Sequence, residues 1–369
     1  MKRIYLDYAS LTPIDKGVLK QMSKYSTGEY SNPSSLYDSG VSAKRVVNEA
    51  KERISKVIHA HPDEIIFTSG GTESNDLVLK KFASRKIMIS AIEHSSITNS
   101  SSLNSDINKN VIRILVDQNG IVDLEFLKNN LNKEIGLVSI MLVNNEIGAI
   151  EPIHEVVKIV RDFNKDNGTS IKVHTDACQA AIHLPLYVEK LGVDMMTLDG
   201  GKIYGPRGVG MLYVKRSANE VIGKIERAGT ENVPGIIAFA YALELAEKMR
   251  EKETVRMAEL KSFFFSEFKK INPDVKVNGS VNGLLENSVP SILNISIPNI
   301  DNEFFLLQLD AKGIEVSTKS ACLRDEDESY VLKAIGASSK NSVRFSFGRR
   351  TTKGEVKKVL KVIGDILGK

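Results

Sequence analysis

The chain has 369 residues, 42% of them hydrophobic and 26% charged, which suits two folded domains of roughly 150 residues each and not a disordered chain. Its 50 Lys and Arg against 46 Asp and Glu leave a net charge of +4 spread along the whole length, without the basic block that a nucleic-acid binder concentrates on one face or tail. No apolar run approaches the ~18 residues of a membrane span, and two cysteines, Cys178 and Cys322, cannot build a disulfide framework, so a reducing, cytoplasmic setting is expected.

Met1-Lys2-Arg3 runs straight into Ile4-Tyr5-Leu6, which leaves no room for the apolar region of a signal peptide. From there, short β-rich runs alternate with longer helical patterns, the signature of an α/β fold. Strands are predicted at Ile65–Thr68, Lys86–Ser90, Val111–Val116, Leu137–Val143, Ile171–Thr175, Met195–Leu198 and Val209–Val214. Several are apolar along nearly their whole length, as strands covered on both faces should be. Between them, Val156, Ile159, Val160 and Phe163 share one face of a predicted helix over Glu155–Phe163. The expected architecture is a mostly parallel sheet with helices on both sides. From about Val233 the pattern changes to two consecutive helices, Ile236–Arg250 and Thr254–Lys270. Then come strands at Ser291–Ile297, around Val316 and at Val343–Phe347, and a last helix over Gly354–Leu367, forming a smaller α+β unit.

Ligands of open α/β sheets bind beyond the carboxyl ends of the strands, so the residues following each strand carry the functional reading. After Thr68 comes Ser69-Gly70-Gly71-Thr72-Glu73-Ser74-Asn75. Glycines opening a helix present free N–H groups to a phosphate, although an ordinary start capped by Ser69 or Thr72 reads the same way. Glu93-His94 follows the second strand, with His94 either structural or catalytic, and Asn144-Asn145-Glu146 follows the fourth, where an Asx turn is an alternative. Asp176, ahead of Ala177-Cys178-Gln179, could hold a protonated ring nitrogen or cap a helix. Lys202, in Asp199-Gly200-Gly201-Lys202, could be a Schiff-base nucleophile or a solvated turn residue. Taken singly these signals are weak. Together on one rim they compose what a pyridoxal phosphate site requires, a lysine, a phosphate cup and an acidic partner for the pyridine nitrogen. No G-x-G-x-x-G follows the first strand, which disfavours a dinucleotide. Cys322 lies in a polar stretch, Val316 to Arg324, followed by the acids Asp325 to Glu328. That reads as an exposed loop, with Lys319 and Arg324 favouring a thiolate and the acids opposing it.

The ordered series of these motifs resembles the cysteine desulfurases, fold-type-I pyridoxal-phosphate enzymes of the class V aminotransferase superfamily. It runs from Tyr5-Leu6-Asp7-Tyr8-Ala9 and Asn32-Pro33-Ser34-Ser35 through the strand-end motifs above. It continues with Arg227-Ala228-Gly229-Thr230, Ser320-Ala321-Cys322 and Arg344-Phe345-Ser346. The resemblance implies a large cofactor-binding domain over 14–245 and a small domain made of 1–13 and 246–369. It implies that Lys202 carries pyridoxal 5'-phosphate covalently, Asp176 pairs with the pyridine nitrogen, and His94 stacks on the ring and relays protons. Gly71 and Thr72 would bind the phosphate, Asn145 and Gln179 the ring substituents, and Asn32 and Arg344 the substrate carboxylate. Cys322 would take sulfur from L-cysteine as a persulfide, release alanine, and pass the sulfur to an acceptor or scaffold protein of iron–sulfur cluster assembly or tRNA thiolation. Thr230 would reach the phosphate of the neighbouring subunit in a homodimer; neither nucleic acid nor membrane is an expected partner. A selenocysteine lyase or other β-lyase, and a non-catalytic scaffold of the same ancestry, are the alternatives.

Three departures stand out. Asp199 and Gly201 replace the Ser and His that assist the phosphate in the family, and the glycine-rich stretch before Arg227 is cut to Gly223-Lys224-Ile225-Glu226. Tyr37 stands where a His usually follows the Asn-Pro-Ser-Ser motif. A carboxylate facing a dianionic phosphate costs about 1 kcal/mol or more in a partly desolvated site.

Overall fold

The computed structural model describes residues 3–28, 30–100, 110–222, 225, 229–280, 287–318 and 328–368. In chain order it opens with β1 (Ile4–Tyr5), α1 (Lys16–Thr27), α2 (Asp38–Ile58), β2 (Ile65–Thr68), α3 (Gly71–Lys81), β3 (Lys86–Ser90) and α4 (Ser95–Thr98). The middle runs β4 (Val111–Ile114), α5 (Leu124–Asn130), β5 (Ile135–Ser139), α6 (Ile153–Asn167), β6 (Lys172–Asp176), α7 (Val188–Leu191), β7 (Met195–Asp199), β8 (Gly210–Val214) and α8 (Arg216–Ile222). The last part is α9 (Val233–Ile271), β9 (Lys276–Val277), β10 (Ile292–Ser296), α10 (Asn302–Ala311), β11 (Ile314–Glu315), α11 (Tyr330–Ala334), β12 (Ser342–Ser346) and α12 (Lys353–Leu367).

The seven-stranded sheet has the order β2-β8-β7-β6-β5-β3-β4. Only β8 runs against its neighbours; every other pairing in the sheet is parallel. The carboxyl ends of β2, β3, β5, β6 and β7 therefore share one rim. Every residue of β5 is buried, as a doubly covered strand requires. β6 is buried too, yet carries His174, whose ring lies between Ser139 Oγ (2.9 Å) and Thr197 Oγ1 (3.0 Å) and is held neutral, with its pKa pushed down to about 4 by burial. α6 buries Val156, Val157 and Val160 against this layer and stops at Gly168, whose φ of 63° gives the left-handed cap that glycine adopts at no steric cost.

A smaller antiparallel sheet has the order β12-β10-β9. Its core, built on Phe264, Phe268, Phe345 and Phe347, is separate from the larger one around the main sheet. The 39-residue α9 feeds both, with Ile236 to Leu243 in the first and Leu260 to Phe268 in the second. No helix among the described residues is long and apolar enough to cross a membrane.

Three departures of the elements from the sequence reading are the largest; β1 and β9 were also not expected, and β11 lies at Ile314–Glu315 and not on Val316. The two helices expected over Ile236–Arg250 and Thr254–Lys270 are one, because Glu251-Lys252-Glu253 contains no breaker and i,i+3 pairs of Arg250 with Glu247 and Arg256 with Glu253 knit the junction. The strand expected over Leu137–Val143 ends at Ser139; beyond it, the Met141 N–H turns to the Glu93 carboxyl (2.7 Å), while Ile140 and Leu142 still donate to the His174 and Asp176 carbonyls of β6 (3.1 and 2.8 Å). The strand expected to reach Val116 ends at Ile114, where the chain folds back through a Val116–Val122 bridge.

Candidate active site

A cavity of about 230 Å³ opens at the carboxyl rim of the main sheet. From β7, Asp199 caps the tight Gly200–Lys202 turn by accepting the Gly201 N–H at 2.7 Å. Its second oxygen accepts the Gly71 N–H at 2.9 Å, at the start of α3. The turn directs Lys202 inward, where Nζ donates to the carbonyls of Ala9 (3.1 Å) and Ser10 (2.5 Å). Gln179 Nε2 donates to the same Ala9 carbonyl at 2.7 Å, so the N-terminal segment closes one wall.

Asp176 ends β6 and is nearly buried; it accepts the Cys178 N–H at 2.9 Å and Asn75 Nδ2 at 2.8 Å. His94 caps α4 from the end of β3. Arg344, on the small sheet, is 1% exposed and reaches across to the rim. One of its terminal nitrogens donates to the Asn145 carbonyl at 2.8 Å and the other to Asp7 at 2.7 Å. Asp7 thus offsets a charge that burial would otherwise make expensive.

Lys202, His94, Gly71, Thr72, Asn145, Asp176, Gln179, Asp199 and Arg344 all line this cavity, together with Ala9, Ser10, Ser96, Met141, Val143 and Cys178. Gly201 sits beside it, where an added Cβ would meet Leu11 Cδ1 at 3.0 Å. Asn32 is exposed and away from it, accepting the Ser34 N–H at 2.9 Å. Thr230 is also exposed and outside the lining. Cys322, with Lys319 and Arg324, lies outside the described residues. What flanks that segment is tied to the site from both sides. Ser317 exchanges two backbone hydrogen bonds with Arg344 (3.2 and 2.6 Å). Ser329 Oγ donates to Glu146 Oε2 at 2.6 Å, and the Tyr330 hydroxyl donates to the Glu93 carbonyl. Glu93 itself is fully buried, which pushes its carboxyl well above the usual range. Cys178 is half-buried, and burial raises its thiol well above an ordinary one.

The sequence reading missed Asp7 as the partner of Arg344, and Ser96 and Asn75 as supports of the rim. Ser96, two residues past His94 at a helix start, carried a local signal; Asp7 carried none.

A family model described as Aminotransferase class-V matches residues 4–359. The chain belongs to the class-V aminotransferase family. Similar proteins of this family include a cysteine desulfurase IscS of Dictyoglomus turgidum, 40% identical over 100% of this chain and 96% of its own length. A solved NifS-like protein superposes with a TM-score of 0.88 at 32% identity, covering 99% of each chain. SspA, solved in complex with cysteine, superposes at 0.75 with 26% identity over 93% of this chain and 98% of its own. Class-V members of this kind are fold-type-I enzymes that work with pyridoxal 5'-phosphate. The donor set of the cavity fits that cofactor: an amine, a buried carboxylate and an imidazole converge on it. The start of α3 has to be glycine for packing reasons, since a Cβ on Gly70 would meet Asp199 Oδ2 and one on Gly71 would meet Cys178 Sγ, each at 2.9 Å. The Asp199 carboxylate, held on the Gly71 N–H, opposes a phosphate there.

Proposed function

We propose that the chain is a pyridoxal-phosphate-dependent cysteine desulfurase, converting L-cysteine to alanine and handing the sulfur to an acceptor protein. The observation that carries this reading is the convergence of Lys202, Asp176, His94 and Arg344 on one cavity of the class-V fold. The names of the similar proteins and the cysteine bound in SspA point to the same substrate.

When bound, pyridoxal phosphate supplies an electron sink for bonds at the substrate's α-carbon. Lys202 is the residue we assign to anchor it; the Ala9 and Ser10 carbonyls keep the amine at the cavity wall. Asp176 holds a proton on the ring nitrogen, its carboxylate already oriented by Asn75 and the Cys178 N–H. Gly71 and Thr72 would hold the phosphate, with Asp199 and Gly201 nearby, and Asn145 and Gln179, which line the same cavity, would bind the ring substituents. His94 moves protons, Arg344 orients the substrate carboxylate against the pull of Asp7, and Asn32 assists. Cys322, as thiolate, would attack the substrate sulfur, forming the S–S bond of a persulfide as the carbon–sulfur bond breaks; the electron pair of that bond stays with the carbon fragment, which takes up a proton to become alanine. Thr230 serves the second site of a homodimer, the large domain spans 14–245 with 1–13 and 246–369 as the small one, and the setting is cytoplasmic. A non-catalytic scaffold is the reading that Asp199 favours, but such a chain would have no reason to keep Lys202, Asp176, His94, Arg344 and Cys322 together.

Mass spectrometry after treatment with cysteine tests the reading. The persulfide is expected on Cys322, and Cys322→Ser should keep the bound cofactor while losing sulfide release. Cys178, whose raised thiol is poorly nucleophilic, should tolerate Ser at the cost of stability alone. Persulfide on Cys178, or full sulfide release by Cys322→Ser, would favour the β-lyase alternative.

A further inference from the structure

At the cavity wall, His94 is held by a line of three polar side chains, of which Asn75 alone lies outside the lining. Its Nδ1 accepts the Ser96 backbone N–H at 3.2 Å and lies 2.9 Å from the Ser96 hydroxyl. Ser96 Oγ in turn accepts from Asn75 Nδ2 at 2.9 Å, and the same amide nitrogen donates to Asp176 Oδ2 at 2.8 Å. Asn75 is fully buried, and Ser96 and Asp176 are nearly so.

The direction of each bond follows from its chemistry. An ionised carboxylate only accepts, so Asn75 must turn its NH2 toward Asp176. The flipped amide would set Oδ1 against Oδ2 in a dry place, which low dielectric makes costly. Asn75 tolerates instead a buried Oδ1 with no hydrogen-bond partner, which shows how strongly its orientation is imposed. Its second N–H fills a lone pair of Ser96 Oγ. The single hydroxyl proton is then directed to His94 Nδ1. With a hydroxyl and a backbone amide both donating to it, Nδ1 has no room for a proton of its own, and the proton of the neutral ring resides on Nε2.

We propose that Ser96, oriented by Asn75 and Asp176, is a positioning residue that locks His94 in the Nε2–H tautomer. His94 then offers the occupant of the cavity a proton and not a lone pair. The negative charge of Asp176 sets this from a distance: without it the Asn75 amide is free to turn, the Ser96 hydroxyl follows, and only the longer Ser96 N–H contact is left to hold Nδ1 unprotonated. The inference deepens the proposed function and rests on it only for the role given to His94.

The test reads the ring directly. Holoenzyme labelled with 15N-histidine, with His94→Asn used to assign its signals, should show a pyridine-type Nδ1 and a pyrrole-type Nε2 at His94. In Ser96→Ala only the longer backbone N–H contact still donates to Nδ1, so the two signals should move part of the way toward a mixture of tautomers. For cysteine turnover, kcat should fall about tenfold with KM changed less than twofold, a fraction of the ~10²–10⁴ worth of a positioned acid–base group. Ser96→Thr, which keeps the hydroxyl, should restore both. A wild-type ring protonated on Nδ1 would overturn the proposal, as would Ser96→Ala with unchanged ring signals and kcat. The labelled spectra need no substrate, so failure of the wild type to desulfurate cysteine would sink the proposed function and leave the tautomer decided by the ring signals alone.

Discussion

Asp199 occupies ground that an anion would otherwise take. Its carboxylate oxygens accept the N–H groups of Gly71 and Gly201, so the start of α3 already has a negative charge against it. The role is structural as well as obstructive, since the same side chain caps the turn that aims Lys202. Serine caps nearly as well and carries no charge. Asp199→Ser should therefore tighten pyridoxal phosphate binding roughly fivefold, about 1 kcal/mol, in an absorbance titration of the apoprotein. Unchanged or weaker binding would mean that the capping function outweighs the repulsion. At this scale the sequence was readable wherever an apolar run is followed by a turn signal, which is how Gly71, Thr72, Asp176 and Lys202 came out as neighbours of one rim. Asp7 was not readable, because it meets Arg344 across 337 residues of chain and nothing local marks the pair.

Among the elements, the meeting of β2, β7 and β8 is the tightest constraint on the cup. Gly210 opens β8 opposite both Thr68 and Asp199. A Cβ there would lie 2.6 Å from the Leu198 carbonyl oxygen and 2.8 Å from the Gly70 Cα, both backbone atoms that cannot step aside. Gly210→Ala should cost about 1–3 kcal/mol, read as a lowered urea midpoint; a midpoint within error of the parent would mean that the strand ends shift freely. The strand positions themselves were legible from apolar runs. The errors fell where side chains, not periodicity, decide an ending, as when Glu93 takes the Met141 N–H just past the end of β5. The length of α9 was misread for a related reason: a change of buried face between its halves looks like a boundary, although the backbone continues through it.

At the level of the whole molecule, the buried acid Glu151 gives folding a pH signature. It is 2% exposed, accepts the Val122 N–H at 2.9 Å through Oε2, and has its pKa raised to about 8 by burial. The folded chain thus retains a proton that the unfolded chain gives up at an ordinary carboxyl pKa, so the unfolded state binds fewer protons between the two values. The stabilisation is fully present below about pH 4.5 and is lost as pH rises through about 8. Glu151→Gln keeps the acceptor and removes the titration. It should gain on the order of 2 kcal/mol over the parent at pH 8.5 relative to the difference at pH 4.5, measured by urea unfolding at both. An equal difference at the two pH values would show that Glu151 ionises freely in the folded state.

The reversed strand β8 also orders events in time. β2 joins the main sheet only through β8, so Thr68 must wait for Gly210 before it has a partner in the ladder. On a ribosome adding about 5–20 residues per second, roughly 140 residues and some 7–30 seconds separate the two. Throughout that interval the strand leading into the phosphate cup has an open edge, and the Asp199 side chain that will meet Gly71 has not yet been made. A nascent chain halted just before β8 would hold most of the parallel sheet, with β2 still unpaired beside it. The strand that leads into the cup is thus the last of the seven to be fastened into the sheet.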